Sequence, residues 1–446
     1  MSLLSQALTE NRRTLALAVP IVAGFVGQMA MGWADTIMIG RVGVVPLAAC
    51  AFANTVLMVP LVFGFGVLSA VSVRASHAHG ADNPAEAGET LRAGLVLAAV
   101  LGLGVALLVQ LGLPLLPLFG QKPEVNAACG NFLLLCAWSV IPVYLTTALK
   151  SFCEALSRPW VPFWIVLGSV FLNIGLNWLL IYGNWGLPAM GLDGAGLATL
   201  LARIAATLVL LAYLLTSKTL RAHRPRRWTA PGVGPHVRTL TRIGLPVGGL
   251  HFCEVSGFAF GSLMMGWISV NALAAHQIAI TCAATTFMLP LGLSQAVSVR
   301  VGQARGARQL PRCRAIVYGA LGVTAGLMAF FALLFVTAGR FIAGWFLAGD
   351  EILTLASQLL LIAGVFQLFD GVQIVSSGAL RGFEDTRAPM VIGAVAYWVV
   401  ALPLSALLAF VLGWGAPGIW SGFVAGLAVA AGALFLRVQK RLSVPA

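Results

Sequence analysis

The sequence predicts an all-α integral membrane protein of twelve transmembrane helices. It predicts two six-helix bundles related by a pseudo-two-fold axis along the membrane normal. Three observations predict this. The 446-residue chain is 59% hydrophobic and only 9% charged, against about 25% charged in soluble domains. Its apolar runs divide into twelve segments of bilayer-crossing length, which takes roughly 20 residues each. It also repeats itself: residues 68–81 read LSAVSVRASHAHGA and residues 294–307 read SQAVSVRVGQARGA. Pro20 and Pro246, Leu47-Ala48-Ala49 and Leu273-Ala274-Ala275, and Gly80-Ala81 and Gly306-Ala307 share the same offset of 226. Such repeats in a membrane chain mark two lobes flanking a pathway.

The helices are expected at about 13–39, 46–74, 91–118, 127–152, 160–182, 192–217, 239–266, 272–300, 313–341, 351–380, 388–412 and 416–437. The first span follows MSLLSQALTENRRTLALAVP with no small-residue cleavage site, so it is read as its own insertion signal. Pro20, Pro60, Pro142, Pro246, Pro290 and Pro403 fall inside spans and imply kinks. Six spans per repeat is an even number, so the two copies run in the same direction. The repeat is extended by matching Ala148-Leu149-Lys150-Ser151-Phe152 to Ala379-Leu380-Arg381-Gly382-Phe383, at an offset of 231. Three segments follow: an N-terminal lobe over 1–217, a linker over 218–237 and a C-terminal lobe over 238–446. The polar run RAHRPRRWTAPGVGP lies in the linker, which is read as solvated.

Charge sets the orientation. Of the 27 Lys and Arg, 23 lie on the side of both termini, while Arg41, Lys122 and Arg340 lie opposite and Arg203 sits within a span. The positive-inside rule places both termini in the cytoplasm, with the chain in the inner membrane. The same rule explains the net charge of +13 without nucleic acid. The seven cysteines form no CxxC and most lie in apolar runs, so free thiols are expected. There is no GxxxxGK[ST] loop, no HExxH and no GxSxG, so no enzymatic activity and no cofactor are expected.

Of fourteen Asp and Glu, ten fall at expected ends or loops, Glu154 among them. Asp193 heads GLDGAGLATL and is read as a cap for the sixth span. Asp35, Glu254 and Asp370 lie within spans one, seven and ten. A charge at mid-bilayer costs about 2.5–3.5 kcal/mol on insertion scales. Such a carboxyl either binds a cation or carries a proton. Asn173 and Asn177 in NIGLNW are four apart and share a helical face; Thr199 follows on the sixth span. By the repeat, Glu254 corresponds to Gln28 and Asp35 to Gly261, so the two copies carry different polar sets. Two sites are therefore expected: Asp35, Asn173, Asn177 and Thr199 in the first lobe, Glu254 and Asp370 in the second. Gln28, Trp33, Phe258, Phe287 and Phe366 are candidates for a substrate cleft, the aromatics holding organic cations by stacking or cation–π contact. His276 is read as a hydrogen-bonded membrane histidine.

These residues resemble the multidrug and toxic compound extrusion (MATE) family, in its NorM-type bacterial branch. The resemblance is carried by Pro20 followed by GWADTIMIGRVG, then LNIGLNWLLIYGNWGLPAMGLDGAGLAT, HFCEV, LAAHQIAI and LFDGVQIVSSGALRG. It implies export of organic, often cationic, drugs in exchange for inward Na⁺, H⁺ or both. Asp35, Asn173, Asn177 and Thr199 match the family's N-terminal polar cluster, and Glu254 and Asp370 its acidic pair, to which Na⁺ binding is attributed. Phe366 stands where related sequences can have Tyr and offers no hydroxyl. The expected partners are small-molecule drugs and the lipid bilayer, with the chain acting as a monomer. A flippase for lipids or lipid-linked sugars is the alternative reading; it would call for a basic cavity.

Overall fold

The computed structural model describes residues 3–225, 228, 232–346 and 349–443. Twelve of its helices are long and apolar enough to cross a membrane. They are α1 (Leu3–Gly40), α2 (Val44–Gly80), α3 (Pro84–Phe119), α4 (Pro123–Ala155), α5 (Trp160–Tyr182) and α6 (Gly191–Thr216). Then follow α7 (Gly234–Ile268), α8 (Val270–Gly306), α9 (Leu310–Ala343), α10 (Asp350–Gly382), α11 (Arg387–Val411) and α12 (Ala416–Ser443). No strand occurs among the described residues.

Several helices outrun their apolar cores. The 37 residues of α2, and equally of α8, span about 55 Å at 1.5 Å per residue, against a hydrocarbon core of roughly 30 Å. Hydropathy ends near 74 and 300, but the polar turns RASHAHG and RVGQARG stay helical to Gly80 and Gly306. Local signals then stop and restart the chain at matching places. Asp82 (φ 52°) and Arg308 (φ 55°) each take a left-handed conformation between the paired helices. Asn83 caps α3 by accepting from Glu86 N at 3.2 Å, and Pro84 opens the first turn, where its missing N–H is no loss.

The ends of α4 and α10 correct the extended repeat. Leu156 N bonds Phe152 O at 3.2 Å and Arg158 N bonds Cys153 O at 2.9 Å. Phe383 N bonds Ala379 O at 3.1 Å and Asp385 N bonds Leu380 O at 2.9 Å. Ser157 and Glu384, both with φ 59°, complete the same turn. The cap geometry therefore matches at an offset of 227. The alignment at 231 is slipped by one helical turn, a slip that preserves the helix face and so leaves the residue pattern looking correct.

Two helices depart from a continuous α ladder. Helix α4 breaks at Ser139, three residues before Pro142, whose missing N–H leaves a carbonyl of the preceding turn without its helical partner. Arg203 Nη1 donates to Ser139 Oγ (2.6 Å) and Thr207 Oγ1 donates to Pro142 O (2.8 Å), so α6 supplies polar groups at the break. Helix α11 widens into π turns over Val395–Ala401 and Leu407–Val411, on either side of Pro403.

The chain forms two compact units, Ala23–Gly248 and Met1–Val22 with Gly249–Ala446. The divisions at Val22 and Gly248 are again 226 apart, so α1 and α7 are each split at the same point of the repeat. In the unit holding Val22, the start of α1 is fastened by charge. Arg300 Nη1 donates to Glu10 O (2.8 Å) and Thr14 Oγ1 (3.2 Å). The Glu10 carboxylate takes the rest of Arg300 and Arg312 Nε at 3.3 Å. In the other unit, Gly244 of α7 lies so close to the Val67 carbonyl that no side chain fits. The first part of the linker is partly solvated and partly packed: Lys218, Thr219, Arg221 and Ala222 are exposed, whereas Leu220 is buried and the backbone at Arg224 lies 2.9 Å from where a Gly88 side chain would start. Linker positions 226, 227 and 229–231 lie outside the described residues.

Two acids sit differently from their sequence reading. Glu154 lies in the last turn of α4 but is only 2% exposed, with Lys150 Nζ at 3.7 Å. Asp193 lies in the first turn of α6 but does not cap it; the N-cap is Met190, and Asp193 Oδ2 accepts from Asn131 at 3.3 Å.

Asp385, in the turn after α10, anchors the end of α12. Its Oδ2 accepts from Arg437 Nε (2.9 Å) and Arg441 Nε (2.7 Å). Burial alone pushes this carboxyl up, but the two guanidinium bonds outweigh it and hold it below the usual carboxylate range. The stabilisation is therefore fully present above the ordinary carboxylate pKa and is lost as pH falls through the depressed value. The guanidiniums are partly exposed, so Asp385→Asn is expected to cost on the order of 1 kcal/mol at neutral pH. Thermal unfolding in detergent should show that gap closing on acidification; a gap unchanged down to about pH 3 would refute it.

Candidate functional site

The first cluster is built from α1, α5 and α6, all inside the unit Ala23–Gly248. Asn173 and Asn177 lie one turn apart on α5 and are both fully buried. Asn177 Nδ2 donates to Asp35 Oδ1 (2.5 Å) and to Asn173 Oδ1 (3.1 Å). Asn173 Nδ2 donates to Thr199 Oγ1 (3.3 Å). The four residues expected to act together thus form one chain, Asp35–Asn177–Asn173–Thr199. The amide oxygen of Asn177 remains buried without a hydrogen-bond partner. A buried acceptor left open costs about 1–3 kcal/mol. Beside a carboxylate, it is the kind of atom that a bound cation or an added proton would satisfy.

Arg203 lies one turn beyond Thr199 on α6, and its charge acts on the Asp35 carboxylate. No ion pair joins the two among the described residues; the guanidinium is held instead on Ser139 Oγ. Sequence reasoning left Arg203 outside the cluster because it sits on another helix from Asp35, and spacing within one helix carries no signal for it.

The second cluster lies on α7, α10 and α11 in the unit Met1–Val22 with Gly249–Ala446. Glu254 Oε1 accepts from Tyr397 Oη at 3.3 Å, and the same hydroxyl lies 3.3 Å from Gln373 Oε1. His251, one turn earlier on α7, places Nδ1 3.6 Å from Glu254 Oε2. Asp370 is buried and interacts electrostatically with Glu254; no hydrogen bond or ion pair reaches its carboxylate among the described residues. Arg381, three turns further along α10, acts on Glu254 by charge while its Nη2 donates to Ser294 Oγ at 2.9 Å. Two carboxylates and one guanidinium leave this cluster with one excess negative charge when both acids are ionised.

Tyr397, Gln373 and His251 are functional candidates that sequence reasoning missed. Gln373 shares the α10 face three residues from Asp370, a spacing that was legible. Tyr397 was not: a lone Tyr in an apolar run has no partner within its own helix. It supplies the hydroxyl that Phe366 lacks, from a different helix and within the first π turn of α11.

The cleft candidates separate. Trp33 is 59% exposed and Gln28 is also exposed, whereas Phe366 is 3% exposed and packs in the core. Phe366 meets Phe258 at 6.0 Å and Trp420 at 5.6 Å between ring centroids. Phe258, one turn after Glu254, also meets Tyr397 at 5.8 Å and Phe423 at 5.1 Å, so an aromatic wall stands beside the acidic cluster. Phe287 is half-buried on α8. His276 is bonded at both ring nitrogens: Trp420 Nε1 donates to Nδ1 (3.2 Å), and Nε2 lies 2.9 Å from Ser262 Oγ.

A family model described as MatE matches residues 20–179 and again 246–407, two copies beginning 226 residues apart. The chain is 38% identical over 441 residues to a probable multidrug resistance protein NorM of Mesorhizobium japonicum, covering 97% of this chain and 94% of that one. It is 37% identical over 441 residues to a probable multidrug resistance protein NorM of Pseudomonas aeruginosa, covering 98% and 90%. Its fold resembles a crystal structure of MATE in the bent conformation, with TM-score 0.90 and 19% identity over 99% of this chain and 98% of that one. It also resembles a eukaryotic MATE transporter, with TM-score 0.86 and 22% identity over 98% and 100%.

Proposed function

The chain belongs to the MatE family, and from that premise we propose that it is a secondary active exporter of organic, often cationic, compounds in exchange for inward Na⁺ or H⁺. Members of this family are transporters and not enzymes. The relatives' names support drugs as the cargo. The observation that carries the ion-coupled reading is the buried pair Glu254 and Asp370, with Tyr397 on one acid and no hydrogen-bond or ion-pair partner on the other among the described residues. Two carboxylates in an apolar interior are stable together only if a cation or a proton offsets them.

In this mechanism Glu254 and Asp370 take the coupling ion, with Na⁺ as a ligand suited to carboxylate and hydroxyl oxygens. Asp35, Asn173, Asn177 and Thr199 form a second cation-responsive cluster. Drug and ion favour opposite-facing states, and exchange follows from the differential affinity of each ligand for the two states. One monovalent cation entering at 100 mV releases about 2.3 kcal/mol, which supports about 1.7 decades of gradient for a neutral drug. A monovalent cationic drug exported per ion makes the exchange electroneutral, so the ion's chemical gradient alone drives it. The protein acts in the bacterial inner membrane as a monomer, with both termini in the cytoplasm, in keeping with the distribution of Lys and Arg.

The test is ethidium accumulation in everted vesicles carrying the chain. The reading expects uptake that stops when the ion gradients are collapsed. Uptake equal to that of vesicles lacking the protein would overturn it.

A further inference from the structure

We infer that Arg203 is a positioning residue for the coupling cation: a fixed internal charge, held off Asp35 by Ser139, that weakens cation binding at the Asp35 cluster enough for the ion to leave. This rests on the coupling role proposed for Asp35.

The geometry supports the inference from three sides. Arg203 is the only Lys or Arg well inside an expected span. Its Nη1 is tied at 2.6 Å to Ser139 Oγ, a fully buried hydroxyl placed by the break in α4. It makes no ion pair with Asp35 among the described residues, yet it lies one turn beyond Thr199, where the hydrogen-bonded chain Thr199–Asn173–Asn177–Asp35 begins. A guanidinium in direct contact would neutralise Asp35 permanently and exclude any cation. One far away would leave the cluster, with its open Asn177 oxygen, free to trap the cation. The Ser139 hydroxyl ties the guanidinium to α4 and not to the carboxylate. Any monovalent cation meets the same repulsion, so the argument holds for H⁺ and for Na⁺.

The other titratable and charged groups acting on Asp35 are few. Cys50 of α2 and Cys136 of α4 interact with it, and Arg203 of α6 is the one positive group among them. Asn177 faces it from α5 as a neutral donor. Removing the guanidinium therefore removes the one positive group of this set that opposes an incoming cation.

The experiment measures the half-saturating concentration of the driving cation for ethidium transport in proteoliposomes. Arg203→Gln should lower it on the order of tenfold, with slower maximal turnover, and Arg203→Lys should restore the wild-type value. Ser139→Ala keeps the charge but frees it to pair with Asp35, so it should raise the half-saturating concentration. This opposite sign keeps the inference testable if Arg203→Gln fails to fold. Unchanged values in both variants, or a shift that survives in an Asp35→Asn background, would overturn the role of Arg203. Failure of the Asp35 role itself would look different: Asp35→Asn alone would transport normally.

Discussion

Asp370→Asn is expected to lower ion-driven efflux roughly 5–150-fold, the span of ordinary coupling free energies. The loss should fall on coupling rather than on folding. Asp370 is buried on α10 and makes no hydrogen bond or ion pair among the described residues, so an amide of the same shape removes charge and little else. Glu254→Gln should act in the same direction but with a mixed effect, because Glu254 also accepts from Tyr397 and neighbours His251. The two variants share one ion site, so the double variant should be hardly worse than either alone. Efflux assays on both singles and the double, with thermal unfolding as a control, check this. Wild-type efflux by Asp370→Asn would remove the acidic pair from the mechanism.

Gly378→Leu carries a large expected structural effect. Gly378 and Gly382 lie one turn apart on α10 and face Ser294 and Ser298, one turn apart on α8. A side chain at Gly378 would run into both the hydroxyl and the carbonyl of Ser294, and one at Gly382 would start 2.7 Å from Ser298 O. Small residues at this spacing let membrane helices touch along their backbones. The contact also places Ser294, which accepts from Arg381 and donates to Ile374 O at 2.7 Å. Overpacking typically costs about 1–3 kcal/mol, and here it would also displace Arg381 from beside the acidic cluster. Gly378→Leu should therefore both lower the melting temperature and reduce transport, whereas the same change at Gly112, where open space surrounds the position, should do neither. Equal stability of the two variants would contradict the packing argument.

The architecture was largely legible because a membrane span is a property of local composition. Twelve apolar runs became twelve helices, and the offset of 226 between Pro20 and Pro246 reappears where the two compact units divide. Helix ends were less legible. Hydropathy stops near Arg74 and Arg300, while the backbone stays helical to Gly80 and Gly306. The slip between 227 and 231 shows the same weakness: residues four apart share a face, and only the cap bonds fix the register.

The site was legible where one helix carried the pattern. Asn173 and Asn177 share a face by spacing, and the structure joins them to Asp35 and Thr199. It was not legible where partners came from other helices. Tyr397 reaches Glu254 across 143 positions of chain, and Arg203 reaches Ser139 across 64. Phe366, placed among cleft candidates for its aromatic ring, is drawn into the core because a span of a bundle buries one face and nothing in its immediate sequence says which.

Purified protein in sealed proteoliposomes, given a Na⁺ gradient alone and a pH gradient alone, tests the ion-coupled account most directly. The account predicts ethidium movement opposite to at least one of these cation gradients, and its loss in Asp370→Asn. Movement that is the same with both gradients collapsed, or that Asp370→Asn leaves intact, would contradict it.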